Sequence, residues 1–398
     1  MARINAPAGV YPDLSAGMAS ALTTLYTGVN GSDYADVNSS SHGVRFLSRG
    51  SDTRYLPAEQ TASTLEGAAR LSSAGAAPAL AMLAAEGAAQ AVRRRLDYGS
   101  HVVIEPIRHP DIEEQTGYAS GDDPNIGLNV WATPIYQNSR ARDLKAEKLE
   151  YGYDMNLGGL AIGADYTFES NVRAGISLNA GGGRAESHGD FNHTENGAYL
   201  AWHQGNFGLL LDTALTFADN ELEQSLPASM GMDKLKADVR ARVYQAGAHA
   251  EYTIETEHVD ITPHVGVRYM NVDVHNYDVK SGETVMYADD SSANIWTFPV
   301  GVTLSADFFT EGGWQVSPQL DVSVIPAAGD TSEHSNVSFV GLPGVYGLES
   351  EMLDEFSVRG SAGLELARDN LSLGLNYTLQ AGEHVTSHNV MGVISYSF

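Results

Sequence analysis

The sequence predicts an all-β protein: a 12-stranded antiparallel transmembrane barrel of the outer-membrane type, with an N-terminal Ala-rich α-helix threaded through its pore. Three observations lead to this prediction. The chain ends in a strand with two unlike faces, similar alternating segments fill the preceding two thirds of the chain, and a thin helical segment comes before the first of them. Together they indicate a membrane-spanning sheet that closes on itself.

The last residues, 387–398, alternate between apolar and small polar side chains. This period of two is that of an extended strand. In an outer-membrane barrel the apolar side chains of such a strand face lipid, the small polar ones face the lumen, and aromatic residues mark the interface. The apolar face comprises Val390, Gly392, Ile394, Tyr396 and Phe398, and the opposite face comprises Asn389, Met391, Val393, Ser395 and Ser397.

Upstream, the same alternation recurs until twelve segments are counted. Short turns join them on one side and longer polar loops on the other, which is the plan of a bacterial outer-membrane barrel. The segments are 126–138, 151–168, 171–184, 193–204, 207–221, 239–254, 259–274, 294–309, 313–327, 353–367, 371–381 and 387–398.

The composition of the two faces favours a barrel over a soluble β-sandwich. In the segment 371–381, leucines and a tyrosine alternate with Ser, Gly, Asn and Thr, and the segments 151–168 and 294–309 behave alike. The outward polar face of a sandwich more often carries Lys, Glu and Thr. A small, Gly-rich polar face instead suits the crowded lumen of a barrel.

The segment 62–97 has a different composition, with thirteen alanines and three glycines. Alanine is the strongest helix former, and it makes a thin cylinder. Pro78 suits a first helical turn, which predicts a helix from there to about Leu96. Two readings remain open: a helix packed on a soluble domain, or one threaded through a narrow pore. Before it, residues 14–26 predict a short helix and residues 28–51 a loop.

Composition excludes several functional classes. With 23 basic and 50 acidic residues the net charge is −27, which argues against nucleic acid as a partner. No run of 18 apolar residues occurs, so the sequence predicts no transmembrane helix. The first residues lack the apolar core of a signal peptide, and there is no cysteine.

No catalytic or metal-binding motif was found, so the sequence predicts no enzyme and no cofactor. His384 and His388 stand four apart but do not converge on one metal. The acidic pairs 122–123 and 289–290 are weak calcium candidates, better explained as solvated loop residues. Barrel enzymes use Asp, His and Ser, and the residues considered for such a site are His188, His264 and Asp321, which nothing in the sequence brings together.

One charge pattern predicts a pore contact. Near the end of four strands that lead into short turns, the lumen-facing position is acidic: Asp165, Glu251, Asp307 and Glu365. A helix that enters from the loop side would bring Arg93, Arg94 and Arg95 to this level, where confinement strengthens charge pairing. The alternative is that the acids only hydrate the rim and the arginines lie outside it.

An Ala-rich helix, a connector and twelve strands ending in an aromatic residue resemble the β-domain of classical (type Va) autotransporters over residues 60–398. The local matches are residues 129–136, 158–168 and 391–398. This resemblance implies an outer-membrane translocator of a Gram-negative bacterium that exports its own N-terminal passenger. It also implies assembly partners, namely the barrel assembly machinery and periplasmic chaperones, and identifies an assembly signal formed by Gly392, Ile394, Tyr396 and Phe398.

In this interpretation the chain divides into four parts: 1–56, a passenger remnant or flexible segment; 57–97, a linker helix within the pore; 98–125, a connector; and 126–398, the barrel, expected to be a monomer in outer-membrane lipid. Some family members cleave themselves at an Asn pair in the pore helix, but residues 62–97 contain no Asn. Two other readings stay open: a free-standing porin or adhesin, and a soluble acidic β-protein.

Overall fold

The computed structural model describes residues 43–49, 52–57, 76–99, 126–146, 149–186, 189–225, 234–339 and 345–398. Its one described helix is α1 (Ala76–Gly99). The strands are β1 (Gly43–Arg49), β2 (Asp52–Pro57), β3 (Gly127–Ala146), β4 (Leu149–Thr167), β5 (Val172–Glu186), β6 (Gly189–Gln204), β7 (Phe207–Ser225), β8 (Lys234–Tyr252), β9 (Asp260–Val274), β10 (Tyr277–Ser281), β11 (Glu283–Ala288), β12 (Ser291–Thr297), β13 (Val300–Ser305), β14 (Phe308–Phe309), β15 (Gln315–Gly329), β16 (Ser332–Phe339), β17 (Tyr346–Glu351), β18 (Phe356–Arg368), β19 (Leu371–Ala381) and β20 (Val385–Ser397).

These strands form a closed antiparallel barrel, which confirms the predicted fold class. Each long strand pairs with its neighbours in sequence, and β20 pairs with β3 to close the sheet. The wall of the barrel has twelve strand positions, each called a stave. One stave is formed by β12, β13 and β14, which follow one another between β9 and β15, and each of the other eleven is a single long strand. All twelve predicted segments overlap a stave.

The structure corrects several predicted loops. The loops around positions 275–293 and 328–352 contain the hairpins β10–β11 and β16–β17, which pair with each other and with the tops of β8 and β3. The predicted loop 28–51 contains β1, which pairs with β2. These segments contain Ser, Asp, Asn, Glu and Gly among their β-branched and aromatic residues, and the polar, turn-forming residues led to the prediction of loops. The predicted helix 14–26 lies outside the described residues.

The barrel has two different rims. Short turns join β4 to β5, β6 to β7 and β18 to β19, and this end is called the short-turn rim. The opposite end, where β10–β11 and β16–β17 extend the sheet, is the long-loop rim. Among the described residues no helix is both long and apolar enough to cross a membrane.

The outward face is apolar along most of the staves. Its exposed side chains include Leu160, Ile162, Ile176, Leu178, Val302, Leu304, Leu320, Val322, Leu375 and Ile394. Apolar side chains that stay exposed in a continuous band around a barrel are those that lipid covers. The inward positions of the same strands are buried.

The lumen differs from the sequence expectation near the long-loop rim, where its wall is apolar rather than small and polar. Fully buried side chains there form one apolar cluster with Leu80 of α1, namely Leu144, Met155, Phe191, Leu235, Met286 and Met352. The reason is that the helix excludes water at this level, so the inward side chains pack as they do in a soluble core. Towards the short-turn rim the inward residues are mainly polar, as predicted.

The seam between β20 and β3 is interrupted where Gly392 meets Pro134. The ladder pairs Met391 with Ile135 and resumes only at Ile394 with Ala132. Proline has no N–H to donate, which accounts for the gap. A Cβ at Gly392 would lie 3.2 Å from Pro134 Cγ, so glycine makes room for the ring at this point.

Candidate functional site

Helix α1 lies inside the barrel. It contacts β3, β4, β6, β7, β8, β9, β19 and β20, strands from most of the circumference. Its alanines are buried on every side; Ala81, Ala85 and Ala91 have no exposed surface. Methyl side chains let the helix backbone approach the wall closely, and at Gly87 even a Cβ would come within 3.2 Å of Gln137 Oε1.

The helix has a defined direction. Its N-terminal residues, Ala77 to Leu80, pack in the apolar cluster under the long-loop rim. Its C-terminal turns reach Arg93, which contacts His264 near the start of β9, next to the short-turn rim. The helix therefore enters the pore from the long-loop side, the direction expected from the sequence.

Halfway along, the helix backbone is hydrogen-bonded to the wall. Gln245 Nε2 on β8 donates to the carbonyl oxygen of Ala85 at 2.9 Å. Arg268 Nη1 in turn donates to Gln245 Oε1 at 2.9 Å, and the same guanidinium holds both oxygens of Asp212 at 2.8 and 3.0 Å. A side-chain amide with no exposed surface is thus satisfied on both of its ends, as burial requires.

Near the short-turn rim a second contact links helix and wall. Arg93 Nη2 lies 3.4 Å from His264 Nδ1, and His264 Nε2 lies 2.6 Å from Asp321 Oδ2. Because arginine has only donors, Nδ1 must accept and the ring proton must be on Nε2, which donates to the carboxylate. Asp321 also accepts from Thr303 at 3.1 Å and from Ser323 at 2.9 Å.

The neighbouring Arg94 docks on the same part of the wall. It is buried and donates to Ser361 Oγ. Ser361 is the cross-strand partner of Asp321, so both arginines contact the wall at residues that neighbour this one carboxylate. The side chain of Arg95 lies outside the described residues.

Of the four acids of the predicted ring, Asp165 and Glu365 are buried, Glu251 is half-buried and Asp307 is exposed between β13 and β14, and each has a partner on the wall. Asp165 accepts from Asn129 at 3.1 Å and Tyr199 at 2.7 Å and lies 3.6 Å from Arg173. Glu251 lies 3.7 Å from His249. Ser317 and Ser372 donate to Asp307 and Glu365, respectively. The pairing of this ring with the arginines of α1 remains a prediction.

The candidates for other chemistry separate into three cases. His264 and Asp321, considered apart in the sequence, are in contact, but as part of the helix anchor. His384 binds Asp354 at 2.8 Å, whereas His388 faces outward and contacts Tyr377 at 2.7 Å, so the two histidines do not converge. Within the described ranges, no three His, Asp or Glu residues are grouped to hold a metal. His188 and the acidic pair 122–123 lie outside these ranges.

A cavity of about 140 Å³ remains beside the helix. Its helix side is a polar stripe in an otherwise Ala-rich surface: Glu86, Gln90 and Arg93, spaced by about one turn, with Gln90 Nε2 donating to Glu86 at 3.3 Å. Its wall side includes Gln137 and Arg359. The helix thus fills much of the pore and leaves beside it a cavity lined by both polar and apolar side chains.

The terminal strand has the faces that its sequence predicts. Ile394, Tyr396 and Phe398 are exposed on the outward face, and the rings of Tyr396 and Phe398 meet edge to face at 4.9 Å. Met391 and Ser395 are buried towards the lumen. The final residue is tied to the first stave, because Phe398 N donates to Leu128 O at 2.9 Å.

Sequence reasoning missed Gln245 and the anchoring role of Asp321. Each is a polar residue on the lumen face of a strand, well inside the strand. The prediction considered only acidic residues near the strand ends at the short turns. A search for mid-strand Asp, Gln or Arg on the lumen face would have found both, together with Arg268 and Arg359.

The comparisons with known proteins agree with this geometry. The family model described as autotransporter β-domain matches residues 130–378, more than half of the chain. The crystal structure of the β-domain of the Bordetella autotransporter BrkA is similar, with a TM-score of 0.54 and 16% identity over 68% of this chain and 100% of that one. The translocator domain of the autotransporter NalP from Neisseria meningitidis has a TM-score of 0.54 and 14% identity over 79% and 97%.

No curated protein matches the chain. The solved structures, at these identities, establish the fold, and the family model identifies its function: the barrel is a transport domain of the outer membrane of Gram-negative bacteria, and family membership implies a passenger fused to it. The chain therefore belongs to the autotransporter β-domain family and acts as an outer-membrane translocator of type V secretion.

Proposed function

We propose that α1 is the pore segment that connects the barrel to its own passenger, and that it plugs the pore once export is complete. The direction of the helix carries this proposal: its N-terminal end lies at the long-loop rim, the extracellular side of such barrels. The chain ahead of α1 therefore starts outside the cell. In this interpretation residues 1–56 belong to the passenger side and 98–125 connect the helix to β3.

The proposal is tested by display of a small epitope, fused ahead of Met1 and preceded by a signal peptide, in a Gram-negative host. We expect the epitope to be accessible to antibody and to added protease on intact cells, because the segment before α1 begins at the extracellular rim. The control is the same fusion with its barrel truncated after Arg368, which removes β19 and β20 and leaves the sheet open. An epitope that stays inside cells carrying the intact barrel would contradict the proposal.

We also propose that the barrel has no catalytic role and that assembly machinery and periplasmic chaperones receive it through its last strand. The outward Ile394, Tyr396 and Phe398 support the second part of this proposal. Before the barrel closes, the last strand presents an apolar and aromatic face and an unpaired backbone edge, and another chain can bind both. Gly392 keeps this strand compatible with Pro134.

The mutation Phe398→Asp is expected to remove most of the folded protein from the outer membrane. It loses the contact with Tyr396 and places a charge on the outward face. The measurement is the amount of heat-modifiable protein in outer-membrane fractions. Phe398→Tyr, which keeps an aromatic ring, should behave as the parent. A normal amount of folded Phe398→Asp protein would show that the last side chain is not part of the signal.

A further inference from the structure

The contact between Arg93 of α1 and His264 of β9 depends on the protonation state of one ring nitrogen. His264 Nδ1 lies 3.4 Å from Arg93 Nη2, and only an unprotonated Nδ1 can accept a hydrogen bond from arginine. A proton on Nδ1 would remove this acceptor and place a positive imidazolium against the positive guanidinium. This contact between helix and wall is therefore available only while His264 is neutral.

The other ring nitrogen of His264 keeps its partner in both protonation states. His264 Nε2 lies 2.6 Å from Asp321 Oδ2, and an Nε2–H can donate to this carboxylate whether the ring is neutral or charged. Asp321 thus fixes the orientation of the ring and leaves Nδ1 as the atom that gains or loses the proton. The two side chains are only 1% and 2% exposed, so water has little access to replace a lost partner.

The charges around His264 are balanced while its ring is neutral. Glu251 is its cross-strand partner on β8, and the centroid of the His249 ring lies 5.0 Å from that of His264. His203 on β6 lines a small pocket with His249 and Glu251. The guanidinium and carboxylate groups of this region number three each: Arg93, Arg94 and Glu86 on α1, Glu251 on β8, Asp321 on β15 and Arg359 on β18. With neutral histidines these charges cancel, and a proton on His264 leaves one positive charge in excess where α1 is bound.

We propose that His264 acts as a pH-sensitive latch, which holds the C-terminal end of α1 against the wall at neutral pH and releases it in acid. This inference rests on the proposed role of α1 as a plug and adds how that plug is regulated. In the docked state His264 has no proton on Nδ1, whereas in the released state it can bind one there. The released state therefore binds more protons, so docking weakens as the pH falls. Histidine is the side chain that changes its charge between about pH 5 and pH 8, which sets the range of the response.

The test is single-channel recording of the full chain in planar bilayers at a series of values between about pH 5 and pH 8. We expect the fraction of time spent in the open state to rise about tenfold or more from the alkaline to the acid end, since one linked proton changes the docking equilibrium by at most about tenfold for each pH unit. Return to alkaline pH should close the pore again, which distinguishes release of the helix from unfolding of the barrel.

Two variants remove the pH dependence from either side of the contact. His264→Gln keeps an acceptor for Arg93 and a donor for Asp321 but cannot be protonated. Arg93→Gln leaves the barrel wall unaltered, and its amide can donate to a neutral Nδ1 or accept from a protonated one. In each variant the open fraction should change less than about twofold over the same range, because no proton is linked to docking. His334→Gln, which replaces an exposed histidine on β16, should respond as the parent does.

Heat-modifiable mobility at each pH confirms that every variant is folded, and deletion of residues 1–99 separates the latch from the plug. If the deletion conducts more than the parent at neutral pH but the parent does not respond to acid, α1 plugs the pore and the latch is wrong. If parent and deletion conduct alike, the proposed plug is wrong and the latch with it. A response to acid that persists in His264→Gln or in Arg93→Gln would assign it to another group, such as His249, and would overturn the proposal.

Discussion

Deletion of residues 1–99 is expected to convert the barrel into an open channel. Helix α1 occupies the pore, and its removal vacates a cylinder about 10 Å across. The wall from the middle of the barrel towards the short-turn rim is polar. Its side chains that lose contact with the helix and face water include Gln245, Arg268, Asp212 and Gln137. In planar bilayers the single-channel conductance should rise severalfold above that of the intact chain.

The matched control is deletion of residues 1–57, which removes β1 and β2 but keeps α1. Its conductance should stay close to that of the intact chain, since the contacts of α1 with the wall are retained. Equal conductance of the two deletions would mean that the helix does not block the pore in the membrane. The apolar wall around Leu144 and Met155 also loses its packing against Leu80, so the larger deletion should unfold at lower temperature.

Asp321→Asn is expected to have the largest effect among single substitutions in the lumen. The carboxylate accepts three hydrogen bonds and is almost completely buried. The amide has one acceptor atom instead of two, so donors of His264, Thr303 or Ser323 are left unpaired, and Arg94 loses a nearby negative charge. Leaving a buried hydrogen-bond donor unsatisfied costs about 1–3 kcal/mol. The C-terminal end of α1, near the short-turn rim, should loosen. We expect this to be detected as more frequent channel opening and faster proteolysis of the helix.

Two comparisons make this result specific. Asp219→Asn removes an acid whose side chain is 75% exposed and should change neither measurement. Asp307→Asn removes a member of the predicted acidic ring that contacts Ser317. If the ring anchors the helix, Asp307→Asn should loosen it as much as Asp321→Asn does. If the anchor is the cluster around Asp321, only Asp321→Asn should do so.

The sequence predicted the staves because alternation is a local property. Each residue of β19 or β20 shows by its own polarity whether it faces lipid or lumen, and short turns mark the strand ends. The strand bounds near the long-loop rim were less predictable. There β8 continues beyond the membrane band with inverted polarity, because its outward residues are charged and its inward residues are apolar. Alternation still marks the two faces, but the apolar face is now the inner one.

The candidate site was predictable only in part. The composition of 62–97 predicted a thin helix but left open whether it packs on a soluble domain or threads a pore, and the structure decides for the pore. The contacts of that helix were not predictable. His264 and Asp321 are 57 residues apart, and Arg93 is 171 residues from His264. These residues meet because the sheet closes, and no local pattern encodes the rotation of α1 about its axis.

By itself, then, the sequence determined the fold class, the number of staves and the direction of most faces, because these follow from periodicity and composition along the chain. The family was indicated by resemblance to its local motifs. Tertiary structure alone decided which wall residues bind the plug. It also decided that the lumen near the long-loop rim is an apolar core that includes Leu80. The physical reason is that burial and charge pairing depend on which side chains face each other across the pore.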